Sequence, residues 1–527
     1  MADSTAQTFK LTYSTMFDPP PELHTRFEQA LADFRASGMG QDGAQWIGGQ
    51  RVAGARGFEL RSPIDQDWLI ARFPAGNADD VDRAVQAARA AWPAWAATPW
   101  RERVVLLRRA ARLIEQRVYA ISAVVALEVG KNRMESIGEV QETADLIDWY
   151  ADQMEAHDGF DRPLADDPLA GFRSHNRTVL RPYGAWAVIA PFNFPFALSG
   201  GPVGPALIAG NTVVFKVAPE TALSGWLLLE CLRDAGLPDG VVNYVSGGDM
   251  TGRALAQHPD VAGLTFTGSH AVGMQILRHA AQGRYPRPCI TEMGGKNATI
   301  VSRHGDVERA ALGILRSAFG LSGQKCSACS RVYVERPLAD ALRERLVQLT
   351  RDIAVGDPTQ QAHWMGPVID RAAYDRYARL TEHLRQVGQI DTGGAWLTEG
   401  DLARGFFVAP TVAQAPLDDR AWVDEHFLPV VLVGEVDSVA EGIARANASD
   451  YGLTAGFYGT PEEVAYFHNH IEAGVTYANR PQGATTGAWP GFQPFGGWKG
   501  SGSTGKAIGS FHYLQQYLRE QSRTVVE

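Results

Sequence analysis

The sequence predicts an α/β protein made of two doubly wound, mostly parallel sheets. Three observations lead there. Strand-sized apolar runs alternate with helical stretches from residue 186 to 302, and a second cycle follows from 306 to 478. The strand runs are apolar almost throughout, as in sheets covered on both faces. The chain of 527 residues, 45% hydrophobic and 20% charged, has material for about two to four cores at ~100–200 residues per domain.

Residues 1–40 read as a mixed polar extension, and WIGGQRVAG (46–54) as a turn between short strands. Residues 79–130 carry helical spacing (Val81, Ala84, Val85, Ala88, then Val104, Leu107, Ala111, Ile114), with a break expected near Pro93. A further helix is expected over 135–154, an Asp/Pro-rich surface loop over 158–169, and a strand over 174–184. The strand candidates that follow are 186–190, 212–216, 241–246, 263–268, 289–293 and 298–302. Helices at 197–209, 221–235, 250–258 and 270–282 separate most of them, which implies right-handed parallel crossovers. The second cycle has helices at 306–320, 337–352, 368–387, 438–447 and 460–472, with strands at 331–335, 430–435 and 474–478.

The net charge of −10, from 49 Lys plus Arg against 59 Asp plus Glu, works against binding to nucleic acid or anionic lipid. Four cysteines (Cys231, Cys289, Cys326, Cys329) are too few for a disulfide scaffold. The first residues, MADSTAQTFKLTYSTMF, lack the apolar core of a signal peptide. Residues 182–215 carry no charge, yet five prolines, Asn193, Asn211 and several glycines suit a buried strand–loop–helix–strand better than a membrane span. A cytoplasmic protein is expected.

Cys326 stands in FGLSGQKCSACSR (319–331), after Gly323 and among small residues, in a loop between a helix and a strand. That is a place for a reactive thiol. With Cys329 it also forms a CxxC, open to reading as a buried thiol, a redox pair or half a zinc site. Glu292, in TEMGGKN (291–297), closes an apolar strand, either as a turn residue or as a general base. Asn193, in APFNFPFALSGGP (190–202), is either an ordinary turn Asn or an amide donor to a developing oxyanion. Lys216 ends a strand, and Gly268 and Ser269 stand at a strand-to-helix turn whose N–H groups suit a pyrophosphate.

Together and in this order, PFNFP, the strand ending in Lys216, FTGS, EMGGKN, GQKC, DEHF (424–427) and PFGG (494–497) resemble the aldehyde dehydrogenase superfamily from about residue 46 onward. The resemblance implies an atypical Rossmann cofactor domain, a catalytic domain, a β-strand oligomerisation arm and no metal. The expected boundaries are an N-terminal extension over 1–40, an NAD-binding domain over 41–165 and 186–291, and a catalytic domain over 292–500. A return helix over 501–517 and an arm over 166–185 and 518–527 complete them, and the arm implies a homodimer or an assembly of dimers. It also implies that Cys326 attacks an aldehyde, that Asn193 and the Cys326 N–H stabilise the oxyanion, and that Glu292 activates water. Lys216, Glu425 and Phe427 would hold the cofactor, Gly268 and Ser269 its pyrophosphate. Pro219 stands where an acid often selects NAD, but Glu220 follows, so NAD is expected and NADP stays open.

GQKCSAC, the loop TTGAWPGFQPFGG (485–497) and the long tail resemble the Δ1-pyrroline-5-carboxylate dehydrogenase branch. Carried over, Lys325, Ser327, Gly487 and Ala488 would hold a substrate carboxylate, Phe194 and Phe495 its aliphatic chain, and Glu139 its amine. Leu428, Trp489 and Pro490 depart from the branch and keep another semialdehyde, or a simple aliphatic or aromatic aldehyde, in view. A non-catalytic protein and a thiol-redox protein acting through Cys326 and Cys329 are the rivals from other classes.

Overall fold

The computed structural model describes residues 9–54, 56–168 and 170–527; the first eight residues of the expected extension, and Leu169 of the expected arm, lie outside the described residues. Two seven-stranded sheets dominate. The first runs, edge to edge, Cys289–Glu292, Gly263–Thr267, Ala185–Ile189, Thr212–Lys216, Val242–Tyr244, Gln45–Ile47 and Gln50–Val52. Its first five strands are parallel, and the last two pair antiparallel. Apolar side chains alternate between its faces: Trp186 and Val188 pack into one core cluster, Ala185, Ala187 and Ile189 into another. This is why the run WAVIA carries no polar position.

The chain leaves Ala185–Ile189 toward Thr212–Lys216 on one side and later returns to Gly263–Thr267 on the other. Successive connections therefore diverge between two neighbouring strands, and a crevice opens at their carboxyl ends. The second sheet runs Gln389–Thr392, Thr411–Gln414, Val430–Val436, Cys329–Glu335, Asn297–Val301, Thr454–Tyr458 and Val475–Ala478, parallel except at its first strand. It too is buried on both faces. A third sheet pairs Leu518–Val526 with Ser174–Pro182 over nine residues and adds Asp161–Pro163.

Several elements differ from expectation. Pro93 lies inside a helix, Ala78–Ala97, and the break falls at Thr98–Pro99. Pro93 and Arg89, whose carbonyl it leaves free, are both exposed, so the lost bond costs little there. Residues 501–517 form no return helix: Gly505 (φ 63°) and Gly509 (φ 74°) adopt left-handed backbone, and only Leu514–Tyr517 makes a single helical turn. Strands Gln389–Thr392, Thr411–Gln414 and Thr454–Tyr458 were not expected. Nor was the helix Pro21–Ser37, which buries Phe27 and Leu31 in the first core.

Candidate active site

The nucleophile candidate is placed by a strained turn. Leu321 (φ 49°) and Ser322 (φ 53°) precede Gly323 (φ 68°), all left-handed, and the chain then straightens into Cys329–Glu335. Asn297 clamps the loop: its Nδ2 donates to the Cys326 carbonyl at 2.6 Å and the Ala328 carbonyl at 3.0 Å, while its Oδ1 accepts from Thr454 N–H. Gly295 makes this possible, since a Cβ there would stand 2.4 Å from the Cys326 carbonyl oxygen. Asn297 was quoted in the motif, but its reach to residue 326 is a tertiary fact that no local pattern carries. Asn193 arrives from the loop after Ala185–Ile189, and its Nδ2 donates to the Gln324 carbonyl at 2.9 Å. Its amide is thus fixed two residues from Cys326, with one N–H bond accounted for.

Glu292 ends the strand Cys289–Glu292 and is buried, and its Oε2 has no hydrogen-bond partner. Burial pushes its carboxyl well above the usual range, against a hydrogen bond from the Gly497 N–H. Burial likewise pushes the Cys326 thiol up to about 12, with Glu425 and Glu292 adding to the shift and the Ser327 and Cys326 N–H groups opposing it. Cys329 is buried, donates toward the Arg331 carbonyl and lies 3.2 Å from Thr299 Oγ1; all four cysteines are free.

Beside Cys326 opens a pocket. Lys325, Ser327, Gly487, Ala488, Phe194 and Phe495, all expected to touch substrate, line it. Lys325 is ion-paired there with Glu135, which also accepts from Leu321 N–H and Asn132 and so braces the turn. Glu139 requires correction. Fully buried, it pairs with Lys131 and accepts from the N–H groups of Phe196 and Ala197, and it does not line the pocket. Glu142, three residues along the same helix Arg133–Ala156, faces the pocket instead. Arg316 also lines the pocket; it stacks over Phe17, donates to the Pro481 carbonyl and has no carboxylate partner among the described residues. Sequence reasoning missed Glu142 and Arg316, and it missed Tyr13, Met16 and Phe17, which reach the pocket from the expected extension.

A second cleft follows the crevice of the first sheet. Ile189, Lys216, Glu220, Gly268 and Ser269 line it, so four of the expected cofactor residues converge. Lys216 is buried and makes no hydrogen bond or ion pair through Nζ among the described residues; its burial lowers its pKa. Ser269 caps the helix His270–Ala280 at its N-terminus. Glu425 stands apart from this wall, accepting from Gly295 N–H at 2.9 Å, and Phe427 (φ 58°) packs edge-on against Phe192.

The sequence profile of the aldehyde dehydrogenase family matches residues 50–522. The chain belongs to that family. Among curated members, a 1-pyrroline-5-carboxylate dehydrogenase of Anoxybacillus flavithermus is 37% identical over 510 residues, covering 95% of this chain and 96% of that one. A crystal structure of 1-pyrroline-5-carboxylate dehydrogenase from Thermus with bound NAD superposes with a TM-score of 0.91 at 31% identity, covering 99% of both chains. Proline utilization A from Bdellovibrio bacteriovorus matches at TM-score 0.89 and 33% identity; this aldehyde dehydrogenase covers 51% of that longer chain. The match reaches residues 9–49, which precede the family profile, because the Thermus superposition covers nearly the whole chain.

Proposed function

We propose that this chain oxidises L-glutamate γ-semialdehyde, the open form of Δ1-pyrroline-5-carboxylate, to L-glutamate with NAD. The supporting observation is the pocket's charge pattern. Glu142 offers a carboxyl and Arg316 a cation without a carboxylate partner among the described residues, while Glu135 holds Lys325, around the apolar Phe194, Leu146 and Phe495 beside Cys326. A substrate carrying both an ammonium and a carboxylate on a short chain matches that pattern. Glu142, rather than Glu139, then faces the amine; Arg316 joins Ser327 and the Gly487–Ala488 backbone at the carboxylate. The relatives that match nearly the whole chain are 1-pyrroline-5-carboxylate dehydrogenases, which points the same way.

The cleft suits a dinucleotide. Lys216 is a buried ammonium without a partner, which ribose hydroxyls would satisfy, and Glu220 beside it disfavours a phosphate at the same place. When bound there, NAD supplies the hydride acceptor. The chain's own residues do the rest. Cys326 Sγ forms the bond to the aldehyde carbon, while the Asn193 amide and the Cys326 N–H receive the oxyanion. Glu292 takes a proton from the water that later breaks the C–S bond and releases the carboxylate. In this reading residues 41–165 with 186–291 hold the cofactor and 292–500 carry the chemistry. The arm of 166–185 and 518–527 joins copies into a dimer or an assembly of dimers. No helix among the described residues is long and apolar enough to cross a membrane, and four free cysteines fit a reducing, cytoplasmic setting.

The test is turnover of Δ1-pyrroline-5-carboxylate, succinic semialdehyde and propanal with NAD and NADP, followed by reduced nicotinamide. The highest kcat/KM is expected for pyrroline-5-carboxylate with NAD, lost in Cys326→Ala, with a raised KM in Arg316→Ala. Equal turnover of propanal would overturn the substrate assignment.

A further inference from the structure

The pocket has a wall that belongs to neither large sheet. Residues Lys10–Phe17 form a short turn, closed by the Thr15 and Met16 N–H groups donating to the Thr12 carbonyl. Side chains fasten it at four points. Lys10 Nζ pairs with Asp145 at 2.9 Å, the Tyr13 hydroxyl donates to Glu142 at 2.7 Å, Arg480 donates to Ser14 Oγ at 2.7 Å, and Arg316 covers the Phe17 ring.

Each fastening point also belongs to the pocket or its loop. The Tyr13 ring meets Phe194 edge-on (centroids 6.4 Å apart) and Trp489 likewise (5.2 Å). The Trp489 indole N–H donates to the same Asp145 oxygen that holds Lys10. Arg480 also donates to the Thr486 and Gly487 carbonyls, tying the turn to the 485–497 loop. Gly138 leaves room for the ring; a Cβ there would stand 3.2 Å from it. Trp489, which departs from the branch pattern, thus has a partner: it seats Tyr13.

We propose that Lys10–Phe17 is a strap that sets the length and bulk of aldehyde this enzyme accepts, with Tyr13 as its specificity-determining residue. The strap carries no strand pairing, so side chains alone hold it, and Tyr13, Met16 and Phe17 are its lining groups. Truncating Tyr13 removes the ring between Phe194 and Trp489 and leaves Glu142 without its donor. The space so opened lies along the substrate chain. The inference rests on the pocket being the aldehyde site, and not on which aldehyde is natural.

The experiment compares wild type with Tyr13→Ala and with the double variant Lys10→Ala/Ser14→Ala, whose side chains are exposed and whose loss spares the core. Two readouts are taken. One is kcat/KM for propanal, pentanal and octanal; the other is the alkylation rate of Cys326, located by mass spectrometry, with N-ethylmaleimide and with N-(1-pyrenyl)maleimide in the presence of NAD. Both variants should raise the octanal-to-propanal ratio about tenfold, through KM more than kcat, and raise the pyrenyl-to-ethyl rate ratio in parallel. Unchanged ratios in both readouts would overturn the strap. A wild type that oxidises no aldehyde would instead sink the proposed activity, while the alkylation ratio would still decide the strap.

Discussion

In the proposed reaction Glu292 and Cys326 share one problem: each must carry charge to act, and each is held where charge is costly. Burial raises both, and the Glu292 charge adds to the shift at Cys326. A general base works only when ionised, so deacylation should fall as pH drops through the raised Glu292 value and rise above it. The thiol, pushed up to about 12, gives the acylation step an alkaline limb of its own. Two measurements separate the steps. The pre-steady-state burst of reduced nicotinamide should rise with pH in wild type and in Glu292→Gln alike. Steady-state turnover should rise with pH in wild type, but be low and nearly flat in Glu292→Gln. A Glu292→Gln profile that kept the wild-type steady-state limb would remove Glu292 from the base role.

The turn before Cys326 shows how an element stores that geometry. Gly323 is left-handed, and a Cβ on it would stand 2.2 Å from the Leu428 carbonyl oxygen, a backbone atom that has nowhere to go. Gly323→Ala should therefore cost about 1–3 kcal/mol from backbone strain alone. It should also displace Cys326, with a kcat loss on the order of 10²-fold for a shift of ~1 Å. A thermal melt with steady-state kinetics checks both, and wild-type values for both would contradict the account. Leu428, which departs from the family pattern, meets the turn through its backbone while its side chain is buried in a core cluster of the second sheet. Much at this scale was legible in the sequence. The strands of the first sheet announced themselves because both faces are buried, and GQKC marked the one position of the turn, Gly323, where a Cβ would strike backbone, while the left-handed Leu321 and Ser322 gave no such sign. The strap was not legible, since KLTYSTMF has neither period and its meaning lies in contacts to residues 142, 145, 316 and 480. Glu139 and Glu142 were indistinguishable for a related reason: on one helix three residues apart, only the tertiary packing decides which meets Lys131 and which meets the pocket.

At the scale of the whole molecule, the third sheet poses an unanswered pairing. Leu518–Val526 lies at its edge, with its nine residues bonded on one side to Ser174–Pro182 and no strand on the other among the described residues. Every residue from Arg519 to Val526 is exposed, Val525 and Val526 included. A long open edge ending in valines is a template for another chain, and natural proteins rarely leave one uncovered. The same strand follows the turn Leu514–Tyr517, whose Tyr517 packs on Trp186 in the first core, so the arm is rooted rigidly and its free edge is held in place. Ending the chain after Tyr517 keeps that root and removes the whole edge strand, the buried Leu518 included, which leaves Ser174–Pro182 unpaired on that side. Light scattering should then report a dimer or larger assembly for the full chain and a monomer for the shortened one. Turnover should persist in the shortened chain, since no residue of 518–526 lines the pocket beside Cys326 or the cleft along the first sheet. An assembly of unchanged mass would place the contact between copies on another face.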